Sequence, residues 1–86
     1  MTQARFTPER LDELNLLCLF NLDTTQEGLK VHAGSAPAEA VDAAVRLHAK
    51  GLLTQADGGY LTSLGVDAAR HAQDLLRILT APELTT

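Results

Sequence analysis

One segment in the second half of the chain constrains the fold more than any other, because it joins a helix stop, a tight turn and a helix start. Gly51 follows an apolar helical stretch, Asp57-Gly58 follows six residues later, and Thr62 precedes another helical stretch. Asp-Gly is favoured in two-residue hairpin turns, whose central positions need positive φ. The segment predicts strands over 52–56 and 59–61 and a final helix from Thr62 to about residue 80.

Three further helices are predicted before this segment. Thr7-Pro8 provides an N-cap and a proline in the first turn. Thr24 and Glu27 have the spacing of a capping box, and Ser35-Ala36-Pro37 begins a third helix. The predicted helices cover residues 7–21, 25–33 and 37–50, with Gly34 as the left-handed turn after the second. The predicted fold class is mainly α with a small β-hairpin: a winged helix-turn-helix with three helices, a two-stranded wing and a C-terminal helix.

Length and composition limit the possible functions. The 86 residues are 45% hydrophobic, enough for one core. We expect a single domain at 7–80, a flexible arm at 1–6 and a frayed tail at 81–86. The net charge of −4 argues against a dedicated non-specific nucleic-acid binder. Cys18 is the single cysteine, and the N-terminus lacks the apolar run of a signal peptide, so a cytoplasmic location without membrane association is expected.

Two resemblances follow from these motifs. The stretch from Arg46 to Gly65, with Tyr60-Leu61-Thr62 inside it, resembles the third helix and wing of winged-helix regulators, including MarR-like ones. Residues 11–23, together with Thr25-Gln26-Glu27-Gly28 and Lys30-Val31-His32, are similar to a family of short, uncharacterised bacterial proteins known mainly from gammaproteobacteria. The second resemblance covers residues 7–80. It implies the fold but no particular activity.

The helix before the wing is the candidate for contact with duplex DNA. In winged helices this helix enters the major groove, where arginine bonds guanine edges or phosphates. Its expected outward residues include two acids near the start, and the wing carries no Lys or Arg. The candidate DNA-binding residues are Lys30, Arg46 and Lys50; the outward set is Glu39, Asp42, Ala43, Arg46, Ala49 and Lys50. A solvated helix face is the alternative reading of the same residues.

The last helix carries two apolar rows, of which one can face the core and the other a partner. The first row contains Val66, Ala69, Leu76 and Leu79. The second row, the candidate interface of a homodimer, contains Leu64, Ala68, Leu75 and Ile78. A broad helix face buried in one core is the alternative.

No cofactor, metal site or catalytic activity is expected. His32, His48 and His71 fit no compact metal site, and Cys18 lies in an apolar run. No nucleophile and base occur at a recognisable spacing, and the pair Asp12-Glu13 is expected on the solvent side of helix one.

Two hypotheses therefore stand side by side. The first is a small winged-helix transcriptional regulator that binds duplex DNA as a dimer. The second is a winged helix used for protein–protein interaction without DNA binding. The fold favours the first by analogy, and the charge balance favours the second.

Overall fold

Three helices and a small three-stranded sheet make up the computed structural model, which describes residues 4–24 and 26–82. The sheet is antiparallel in the order β1-β3-β2. This architecture is mostly α with a hairpin and is compatible with a winged helix, as predicted. Residues 1–3 of the predicted arm and 83–86 of the predicted tail lie outside the described residues. The elements are α1 (Pro8–Leu17), β1 (Leu29–Lys30), α2 (Ala38–Ala49), β2 (Leu53–Gln55), β3 (Gly58–Leu61) and α3 (Ser63–Thr80).

Local capping signals set the starts of the first and last helices, as the sequence predicts. The Thr7 hydroxyl accepts a hydrogen bond from the Arg10 N–H at 3.3 Å, and Pro8 occupies the first turn. The Thr62 hydroxyl accepts from the Gly65 N–H at 3.0 Å and donates to the Gly51 carbonyl at 2.6 Å. These bonds satisfy donors that the first helical turn leaves unpaired.

The predicted helix at 25–33 is wrong, so the described chain has three helices rather than four. Part of that segment is strand β1, which pairs with β3 at Leu29–Gly59 and Lys30–Gly58. The Thr24 hydroxyl accepts from the N–H of residue 26, and the Glu27 carboxylate accepts from the Asn21 side chain. A capping box would need Thr24 to bond three residues ahead. Gly34 is also not left-handed.

Helix α1 ends at Leu17 rather than at Asn21, where the N–H groups of Leu19 and Phe20 bond the carbonyls three residues before them. The Gln73 amide of α3 donates to the Leu17 carbonyl at 3.3 Å and to the Phe20 carbonyl at 2.8 Å. Carbonyls at and after a helix end need such partners. Gln73 therefore ties the end of α1 and the residues that follow it to α3.

The hairpin turn lies one residue earlier than predicted. Ala56 and Asp57 form the turn, and the positive φ angles fall on Gly58 (119°) and Gly59 (74°). The register shifts between the pairs Leu53–Leu61 and Gln55–Gly58, which is a bulge of the kind that glycine allows. A side chain at Gly58 would overlap the Leu29 carbonyl, so β1 and β3 can pair only with glycine there.

The core lies where α1 and α2 cross and α3 and β2 close over them. Ala43, expected to face outward, is instead fully buried like Ala44, because α2 packs against both α1 and the hairpin. Leu53 anchors the hairpin to this core, whereas Leu11 of α1 is exposed. Among the described residues, no helix is long and apolar enough to cross a membrane. The buried apolar residues are Leu16, Leu17, Phe20, Val31, Ala43, Ala44, Leu47, Leu53, Ala69 and Ala72.

Candidate functional site

The C-terminal turns of α3 extend past the core and leave apolar side chains in water. Ala69, Ala72 and Leu76 lie on one face of the helix, three and four residues apart. Ala69 and Ala72 are 0% and 5% exposed, but Leu76 is 49% exposed. The next residues, Ile78 and Leu79, are exposed as well. The face that is buried at the middle of α3 is therefore only partly covered, among the described residues, near the end of the helix.

Helix α1 extends this exposed face into a larger apolar surface. A hollow of about 160 Å³ lies between α1 and α3, and Leu14 and Ala72 line it. A second hollow, of about 510 Å³, lies between α1, the start of α2 and Leu76, with Asp12 and Glu39 at its rim. We call the exposed leucines that border the two hollows the apolar surface: Leu11, Leu19, Leu75, Leu76 and Leu79.

The row of residues predicted as a dimer interface is divided by the structure. Leu75 belongs to the apolar surface, and Ile78 adjoins it. Leu64 is 57% exposed but lies 14 residues before Ile78, about 21 Å away along the helix. Ala68 is half-buried against the core. The apolar surface therefore gathers at one end of α3 and includes Leu76 and Leu79, which the sequence assigns to the alternative row.

A buried carboxylate occupies the place where α1 meets the end of α2. Glu13, expected in solvent, is 6% exposed, and its carboxylate accepts from Arg46 Nε at 2.9 Å and from Lys50 Nζ. Arg46 also donates to the Glu9 carbonyl at 3.2 Å. Burial raises the pKa of Glu13, but the hydrogen bonds and charges of Lys50 and Arg46 outweigh it, so the pKa lies below its usual value.

All three candidate DNA-binding cations pair with a carboxylate of the same chain, Arg46 and Lys50 with Glu13 and Lys30 with Asp57. Lys30 is on β1, where its ammonium group donates to Gln55 at 2.7 Å and contacts Asp57 at 3.4 Å. Arg46 and Lys50 remain partly exposed beside Glu13. The structure brings Arg46 and Lys50 together but keeps Lys30 at the hairpin.

Sequence reasoning missed a further cation at this place. Arg10 is exposed and donates to the Arg5 carbonyl at 3.0 Å. It borders another hollow, separate from the two of the apolar surface, which Phe6 and Lys50 also line. We call Arg10, Arg46 and Lys50 the basic cluster. The spacing of four between Arg46 and Lys50 places them on one helical face, but no local pattern connects Arg10 to that face.

Cys18 lies at the junction of the two hollows of the apolar surface. It is half-buried, and burial raises the pKa of its thiol, so the thiol stays protonated at neutral pH. Among residues 4–24 and 26–82, no group of three or more His, Cys, Asp or Glu side chains is placed to hold a metal ion.

These features define a class of protein: a small, mostly helical domain with a hairpin, an apolar surface on α1 and α3, and a basic cluster on α1 and α2. A family described as a family of unknown function (DUF5669) matches residues 4–80. The chain belongs to this family. No curated protein and no solved structure matches this chain.

Proposed function

We propose that the protein is an interaction module that binds another protein through its apolar surface and has no catalytic activity. The observation that carries this proposal is the exposure of Leu76 on the helix face that buries Ala69 and Ala72. A helix that is apolar around most of its circumference needs cover on more than one side. The last turns of α3 carry Leu75, Leu76, Ile78 and Leu79 within five residues.

The energetics of exposure favour a partner. Fully burying one leucine or isoleucine side chain is favourable by about 1.5–3 kcal/mol. Large contiguous apolar patches on monomeric proteins commonly mark interaction sites. The apolar surface also has the usual composition of an interface, an apolar centre with the polar rim residues Asp12 and Glu39.

The test is affinity capture from cells with three forms of the protein as bait. The wild type should retain partner proteins that the double variant Leu76→Lys/Leu79→Lys loses. Leu64→Lys is the matched control, because it places the same charge on an exposed leucine of the same helix, away from the apolar surface. Identical captured proteins for all three baits would reject the proposal.

DNA binding by a transcriptional regulator is the second candidate, and the basic cluster is the observation that favours it. Arg46 and Lys50 lie beside Glu13, which neutralises part of their charge, and Arg10 borders the same hollow as Lys50. With three phosphate contacts per chain, the logarithm of the binding constant would fall with the logarithm of the salt concentration at a slope of about −2.7. Useful affinity would therefore need a dimer. Both candidates place the protein in the cytoplasm, where a single cysteine stays reduced.

The DNA hypothesis is tested by fluorescence anisotropy with mixed-sequence duplexes at low and physiological salt. Arg10→Gln should weaken binding and flatten the salt slope by about one unit. This variant leaves the partners of Glu13 in place, which Arg46→Ala would not. Arg70→Gln, an exposed cation on α3, is the control. Absence of binding at low salt would remove this candidate.

A further inference from the structure

We infer that the partner that covers the apolar surface is a positively charged amphipathic helix of another protein. The inference rests on the proposed function, because it names the kind of partner that the same surface fits. Two observations carry it. Both hollows are lined from helices rather than strands, and the charged residues that border them are acidic and form no ion pair among the described residues.

The lining of the two hollows argues against an extended partner strand. Every lining residue lies in a helix or within two residues of a helix end, and none belongs to β1, β2 or β3. The surface therefore offers no strand edge to bond the backbone of an incoming segment. Backbone N–H and C=O groups that lie over leucine side chains need partners, and a helix bonds these groups internally. A helix is thus the element that this surface accepts best.

The positions of the hollows match the apolar face of a single helix. Asn15, Cys18 and Leu76 border both hollows, so the two adjoin each other. An amphipathic helix presents apolar side chains three and four residues apart on one face, and such neighbours can enter adjoining hollows. A helix placed in this way also covers the exposed side chains of Leu75 and Leu79.

The charges at the surface determine the sign of the partner. Among the described residues, Asp12 and Glu39 border the hollows, whereas no Lys, Arg or His does. Neither carboxylate takes part in an ion pair there, although five of the seven Lys and Arg residues of the chain contact a carboxylate. A neutral or acidic partner would remove water from Asp12 and Glu39 without replacing it. Lys or Arg residues beside the apolar face of the partner would pair with them.

The test is a fluorescence-anisotropy titration of the purified chain against two labelled peptides of about 18 residues, long enough to form helices. Both peptides carry leucine at the same amphipathic positions, and their polar positions are lysine in one and glutamate in the other. The wild type should bind the glutamate peptide at least about tenfold more weakly than the lysine peptide, and added salt should reduce this difference. No binding of the lysine peptide, or equal binding of both, would overturn the inference.

Matched variants separate the two carboxylates from the net charge of the chain. Asp12→Asn/Glu39→Gln should weaken binding of the lysine peptide about three- to tenfold at low salt. Asp23→Asn/Glu27→Gln is the control, because it neutralises two carboxylates that border neither hollow and form no ion pair among the described residues. Equal losses in the two double variants would mean that the peptide responds to net charge alone, and the inference would be rejected.

The apolar contribution is tested with neutral substitutions, because an added lysine would itself repel the lysine peptide. Leu76→Ser/Leu79→Ser should lose most of the binding. Leu64→Ser, which changes an exposed leucine of the same helix away from the apolar surface, should keep it. Circular dichroism melts check that each variant is folded. Unchanged affinity in Leu76→Ser/Leu79→Ser would contradict the assigned site.

Two further outcomes distinguish this inference from the proposed function. Capture of another protein through the apolar surface, together with equal binding of the two peptides, would remove the positively charged helix and leave the interaction module standing. A dimer in sedimentation equilibrium that Leu76→Ser/Leu79→Ser dissociates would assign the surface to a second copy of the chain, and would also overturn the inference.

Discussion

Glu13 is the residue on which the packing of α1 against α2 most depends electrostatically. Its carboxylate is nearly inaccessible and uses one oxygen for each of two cations, 33 and 37 residues further along the chain. Removing one partner of a buried charge pair is destabilising, although Arg46 and Lys50 can here turn partly to water. The same contact also reduces the positive charge that the basic cluster presents to an anion.

We predict that Glu13 makes stability depend on pH in the acid range. Because the pKa of Glu13 is lower in the folded chain, its contribution is present above the pKa of the unfolded chain and is lost as pH falls through the folded pKa. Glu13→Gln should lower the free energy of unfolding by about 1–2 kcal/mol at neutral pH. This difference should shrink on acidification, as measured by urea unfolding at a series of pH values.

Glu39→Gln is the control for this prediction, because Glu39 is exposed on α2 and forms no ion pair among the described residues. Its effect on the free energy of unfolding at neutral pH should be smaller than that of Glu13→Gln. A constant difference between wild type and Glu13→Gln at all pH values would contradict the assigned role of the Glu13 carboxylate.

At the scale of the elements, close backbone contacts determine how the hairpin and α3 meet. Gly65, in the first turn of α3, lies against the carbonyl of Leu52, just before β2. Thr62, which caps α3, also donates to the Gly51 carbonyl at the end of α2. These two contacts therefore hold the end of α2, the start of the hairpin and the first turn of α3 together.

We predict that Gly65→Ala is destabilising even though alanine is ordinarily the better helix former. The added methyl would overlap the Leu52 carbonyl, and the repacking should cost about 1–3 kcal/mol in the free energy of unfolding. Gly34→Ala is the control, since nothing lies within 4 Å of its methyl position and its φ is not positive. It should change stability by less than about 1 kcal/mol. Equal effects of both changes would mean that Gly65 tolerates a side chain.

The sequence predicts those elements whose signals are local. The Thr7-Pro8 start, the Thr62 cap and the stop at Gly51 are each settled within a few residues, and all are found. The predicted helix at 25–33 fails because strand pairing with Gly58 and Gly59, some thirty residues away, determines that segment.

The same limit applies to the candidate site. Leu75 and Ile78 are visible as part of an apolar row. The exposure of Leu76 depends on where the core ends, and the burial of Glu13 depends on cations from α2. Neither property is encoded in a local pattern.

For the whole molecule, the core and the apolar surface should respond differently to substitution. Leu47→Ala, in the middle of the core, should cost about 2–5 kcal/mol in the free energy of unfolding. Ile78→Lys should change the stability of the monomer by less than about 0.5 kcal/mol, because the side chain is already in water. Chemical unfolding at a concentration where the chain is monomeric provides both values. A large loss for Ile78→Lys would mean that the end of α3 is part of the fold rather than a free surface.

The bonds from Gln73 to the end of α1 have a consequence for how the chain folds. The carbonyls of Leu14, Leu16 and Leu17 already accept hydrogen bonds from N–H groups further along the chain. Gln73, more than fifty positions later, adds a second donor to the Leu17 carbonyl and donates to the Phe20 carbonyl, and these two bonds form only when α3 docks. The two ends of the sequence are in this way tied into one cooperative unit, and a fragment without α3 would lose both bonds.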